Sequence, residues 1–76
     1  MKSKKAEALR SFGDNVRAIR KDRHYSQEKL AALCRLDRTY IGGVERGERN
    51  ISLLNVCKLA RVLGVTPAEL MKNVKA

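Results

Sequence analysis

Pro67 is the only proline in the chain, and it stands where a helix tolerates one: directly after Thr66, with Glu69 three residues beyond that threonine. A capping threonine, a proline at the first helical position and a glutamate able to reach back make a capping box, which spells a helix start. Three more starts lie upstream, where Ser26, Asp37 and Ser52 each precede apolar residues at helical spacing. Only Phe12, Tyr25 and Tyr40 are aromatic, which leaves little material for a sheet. Together with a long amphipathic stretch near the N-terminus, these starts predict five helices in one all-α domain.

In that first stretch Leu9, Phe12, Val16 and Ile19 recur at three- and four-residue steps, which predicts a helix from about Ala6 to Asp22 with Arg10, Arg17 and Lys21 on its other face. Residues 1–5, with Lys2, Lys4 and Lys5, read as a basic flexible tail ahead of a domain spanning 6–76. His24 falls where a helix exits through a left-handed residue. The second helix carries Leu30, Leu33 and Cys34; the third carries Tyr40, Ile41 and Val44 and stops at Gly47. In the fourth, Ile51 is placed to pack on Val56, and Leu54, Cys57, Ala60 and Leu63 are expected to face inward before Gly64. Leu70, Met71 and Val74 belong to the fifth.

A chain of 76 residues has room for one small core and not for a catalytic domain beside a binding domain. Its 17 Lys and Arg against 8 Asp and Glu give a net charge of +9, a strong field that suits a polyanionic partner. No apolar run approaches the roughly 20 residues of a membrane helix, and the first ten residues lack the apolar middle of a secretion signal, so a cytoplasmic protein is expected. Cys34 and Cys57 read as two small buried hydrophobes, and with His24 the only histidine no metal site is expected. No cofactor, small-molecule ligand or membrane partner is expected. His24 neighbours no nucleophile, so neither is catalysis.

A short capped helix, a tight turn and a second capped helix, flanked by a longer helix before and a pair after, form the layout of a helix-turn-helix DNA reader. Its residues carry a resemblance: Ser26-Gln27-Glu28-Lys29-Leu30-Ala31, Leu36-Asp37-Arg38-Thr39-Tyr40-Ile41, Val44-Glu45-Arg46-Gly47, then Leu59-Ala60, Leu63-Gly64-Val65 and Leu70. From about Phe12 to Leu70 the chain resembles the Cro and phage-repressor (xenobiotic response element) helix-turn-helix family. Within it, Leu36 to Ile41 with Glu45-Arg46 and Arg49-Asn50 is most similar to the controller proteins of restriction-modification systems. The resemblance implies a lambda-repressor-like five-helix domain and a repressor-like DNA-binding transcriptional regulator. An antitoxin or adaptor whose DNA binding serves a protein partner is the alternative.

The first turn of a recognition helix at about 38–46 enters the major groove in such motifs, which places Arg38, Thr39 and Tyr40 there. Arg38 can donate two hydrogen bonds to guanine or can pair with phosphate. Thr39 offers a hydroxyl and a methyl to bases, or serves only the helix. Tyr40 can rest on sugar or thymine, or in the core. Gly42 and Gly43 each cost a helix roughly 1 kcal/mol relative to alanine, so something needs the space: either close approach to DNA, which puts Gly43 among the base-reading positions, or tight packing on a neighbouring helix.

Ser26 and Gln27 stand at a helix N-terminus, where free N–H groups favour a phosphate, and the resemblance gives Gln27 that task. Arg46, Arg49 and Asn50 follow the third helix and can clamp phosphate, unless they are simply solvated. The resemblance also implies a structural ion pair between Arg20 and Glu45. Lastly, Leu53, Val56, Met71 and Val74 are expected to form an apolar seam between two copies, unless they are scattered surface residues. One reader helix covers too few base pairs to select a site, so a homodimer on an inverted repeat is expected, at work in the bacterial nucleoid.

Overall fold

The computed structural model describes residues 3–75, and among these it holds five α-helices and no strand: α1 Lys4–Asp22, α2 Gln27–Cys34, α3 Arg38–Glu45, α4 Leu53–Leu63 and α5 Pro67–Leu70. Each predicted cap is made. Ser26 Oγ accepts from Lys29 N at 3.0 Å, Asp37 Oδ1 from Thr39 N at 2.7 Å and Ser52 Oγ from Asn55 N at 3.2 Å. The box at α5 closes in both directions, with Glu69 N donating to Thr66 Oγ1 and Thr66 N to Glu69 Oε1.

α1 begins two residues earlier than its apolar pattern suggests. Ser3 supplies the reason, since its Oγ accepts from Ala6 N at 3.1 Å. Lys4 and Lys5, expected in a tail, are thus in the first turn; Met1 and Lys2 lie outside the described residues. At the far end His24 takes the expected left-handed conformation, φ 61, and Arg35 does the same after α2, φ 57. Gly47 also has a left-handed φ of 75, and a Cβ there would come within 2.8 Å of the Arg10 Cα. Both facts require glycine at the stop of α3.

The core gathers Phe12 and Val16 of α1, Leu30 and Cys34 of α2, Ile41 and Val44 of α3, Leu59 and Leu63 of α4 and Leu70 of α5. Burial pushes the Cys34 thiol above its ordinary range, against the pull of nearby Lys58 and Arg61. Three expectations need correction here. The inward face of α4 is Val56, Leu59, Ala60 and Leu63, a stripe at steps of three and four, whereas Leu54 is 76% exposed. Cys57 shares the outer face with it and is exposed, not buried. Finally, α5 is a single turn, so Met71 and Val74 belong to the chain that follows it, where Asn73 reverses the backbone at φ 64.

α1 crosses the end of α3 closely enough to bring backbones together, and Gly13 makes that possible. A Cβ on Gly13 would overlap the carbonyl oxygens of Val44 and Glu45. This crossing fixes the helix-turn-helix pair, α2 and α3, relative to the long first helix.

Candidate nucleic-acid interface

α2 and α3 are joined by Arg35, Leu36 and Asp37. The left-handed Arg35 turns the chain, with Leu36 N donating to Ala31 O at 2.9 Å. Half-buried Leu36 packs on the core and ties the turn down, while Asp37 starts the next helix. The result leaves Arg38 and Thr39 exposed in the first turn of α3. Tyr40 lies half-buried beside them, its hydroxyl accepting from Asn55 Nδ2 at 3.2 Å. Its ring is therefore part of the packing, with one face covered by the Arg49 guanidinium 5.8 Å from the centroid.

The space left by Gly42 and Gly43 has an occupant that the sequence did not suggest. Cβ atoms at these positions would meet Arg46 Nη1 and Arg49 Cγ, each at 3.0 Å. Arginines from the exit of α3 thus fold back over the helix and fill the notch themselves. Gly43 is buried beneath Arg49 and offers no surface of its own for a base. Arg46 pairs through Nε with Glu48 Oε1 at 3.1 Å, both more than half exposed, which in water is a weak restraint.

Behind this face lies the ion pair implied by the resemblance. Arg20 Nε donates to Glu45 Oε2 at 2.6 Å and Nη2 to Oε1 at 2.9 Å, while Nη1 donates to the Tyr25 carbonyl at 2.8 Å. The two side chains retain 9% and 3% exposure. The hydrogen bond to Glu45 raises the Arg20 pKa, outweighing the opposite effect of burial. Gln27 joins the same carboxylate, its Nε2 donating to Oε1 at 3.0 Å. Its amide is thereby held from behind instead of waiting free at the helix end, and Ser26 is occupied as the cap.

Around Gln27 opens a polar cleft of ≈ 270 Å³, lined also by Arg17, Lys21 and Arg46. With the Glu45 charge engaged by Arg20, the rim of this cleft is positive. Arg17 and Lys21, on the basic face of the first helix, have no role evident in the sequence; their four-residue spacing, flanking Arg20, is the signal for it.

The four positions expected at a subunit seam do come together. Leu53, Val56, Met71 and Val74 line one open, mainly apolar groove of ≈ 370 Å³, with Leu9 and Phe12 of α1 opposite. They are not equivalent. Leu53 is 76% and Met71 45% exposed, Val74 is half-buried, and Val56 at 7% belongs to the core and forms only the floor, a correction that follows from its place on the inner stripe of α4. Asn50, expected on phosphate, also lines this groove.

A family profile described as Helix-turn-helix matches residues 16–70, from the middle of α1 through α5. The chain belongs to this helix-turn-helix family. Among curated proteins it is similar to the control protein C.BamHI of Bacillus amyloliquefaciens, 52% identical over 61 residues that make up 79% of this chain and 75% of that protein. Among solved structures it is similar to the restriction-modification controller protein C.AhdI from Aeromonas hydrophila, with a TM-score of 0.80, 53% identity and coverage of 82% of this chain and 94% of that one. The biofilm master regulator SinR, solved in complex with DNA, aligns with a TM-score of 0.77 at 27% identity over 80% of this chain and 98% of its own. The helix-turn-helix assignment and the likeness to controller proteins thus agree with the sequence reading.

Proposed function

We propose that this chain is a sequence-specific, double-stranded-DNA-binding transcriptional regulator of the restriction-modification controller kind. It acts without chemistry of its own, in the bacterial cytoplasm, as a homodimer on an inverted repeat. The observation that carries this reading is the pairing of Arg38 and Thr39, exposed at the amino end of α3, with a positively rimmed cleft where α1, α2 and the end of α3 meet. The first pair reads base edges in the major groove; the cleft, with Ser26, Gln27 and Arg46, follows the phosphate backbone. Arg49, laid over Gly43 and Tyr40, and Asn50 act beside them on the backbone. Tyr40 supports the reading face with its ring.

Two substitutions separate these roles. Arg38→Ala is expected to lose about 1–3 kcal/mol at one guanine and to relax preference at that base pair alone, as measured by titration against single-base operator variants. Equal weakening on every sequence would return Arg38 to the phosphate contacts. Arg46→Ala is expected to weaken specific and random DNA alike, and to make the slope of log affinity against log salt shallower by about one. An unchanged slope removes Arg46 from the backbone contacts.

The groove between α1, α4 and the C-terminal turn is where the second copy sits. An eight-residue reader spans only a few base pairs, too little to select a site, and a two-fold copy doubles the sequence read. Leu53 and Met71 are the exposed apolar side chains that such a contact covers.

A further inference from the structure

The stripe of α1 that borders this groove holds one polar residue out of keeping with its neighbours. Ala8, Phe12, Asn15 and Ile19 follow one another at steps of four, three and four along one helix face. A leucine at position 15 would suit that stripe, and an amide there is costly unless its hydrogen bonds are met. Its donors are met by the far end of the chain: Asn15 Nδ2 donates to Leu70 O at 2.8 Å and to Lys72 O at 2.9 Å. These two carbonyls flank Met71: one closes a one-turn helix, where carbonyls have no helical partner, and the other lies just past it.

Among the described residues, no other hydrogen bond joins residues 70–75 to α1; the rest are local, such as Val74 N to Met71 O at 3.0 Å. We infer that Asn15 is a positioning residue for the subunit seam: by bracketing Met71 it holds the C-terminal turn against α1 and so sets the wall that the second copy meets. This inference rests on the homodimer reading above. It goes further in making the seam depend on an α1 side chain that does not itself line the groove.

The test compares Asn15→Leu and Asn15→Asp with the wild type by sedimentation equilibrium, at a temperature where circular dichroism shows all three folded. Leucine keeps the branched shape, at a larger volume, and removes the donors. Aspartate keeps the shape and, when ionised, turns donors into acceptors facing two carbonyls. Both variants are expected to dimerise about tenfold more weakly or worse, the equivalent of losing one well-placed hydrogen bond. A lower melting temperature with an unchanged dimer dissociation constant overturns the inference, because Asn15 then serves the fold alone while the homodimer stands. A wild type that remains monomeric with operator DNA present overturns the seam itself.

Discussion

Arg20→Met is expected to cost about 3–5 kcal/mol of folding stability, because it strips a buried carboxylate of its bidentate partner and leaves the charge in place. Glu45 is nearly inaccessible, receives two of its hydrogen bonds from Arg20 and keeps only the one from Gln27 after the substitution. A single small core rarely supplies more than about 5 kcal/mol, so the variant is expected to be largely unfolded at room temperature. Urea unfolding followed by helical ellipticity checks this. Adding Glu45→Met to the same chain should recover much of the loss, since an apolar pair of similar volume carries no desolvation cost. Strictly additive losses in that double-mutant cycle would mean that the two side chains do not support one another.

Met71→Asp is expected to give a folded monomer. Met71 is half exposed and stands outside the core, so a carboxylate there is harmless in the single chain. In a two-fold contact the same substitution places two like charges in an apolar seam, one from each copy. Operator affinity should then fall by at least about 100-fold, since a whole half-site is lost and each of its base pairs is worth about 1–3 kcal/mol. Sedimentation and DNA titration on one preparation decide it. A variant that still dimerises, or binds its operator as before, moves the interface elsewhere.

Much of this architecture is legible in the chain because helix starts are local events. Ser26, Asp37, Ser52 and Thr66 each need only a neighbour two or three residues away, and all four cap as read. What resisted reading is set by partners distant in sequence. Leu54 and Cys57 satisfy helical spacing as well as Val56 and Leu59 do, and only packing against the other helices selects the second pair. The notch at Gly42 and Gly43 is filled by arginines of the exit loop, and Gly13 is needed for a backbone crossing that no local pattern announces. The end of α5 is hydrogen-bonded by Asn15, 55 residues earlier. At the candidate interface the exposed amino end of α3 was legible from Asp37 onward. The positive cleft was not, because it forms only where α1, the start of α2 and the end of α3 come together.

The most direct test of the account is selection of bound sequences from a random pool of duplex DNA with the wild-type chain. The prediction is an enriched inverted repeat whose half-site centres lie about one helical turn, roughly 34 Å, apart or at a near multiple, with a guanine in each half-site that Arg38→Ala ceases to select. A pool that enriches no motif would contradict sequence-specific binding, and a lone half-site without its inverted mate would contradict the symmetric dimer.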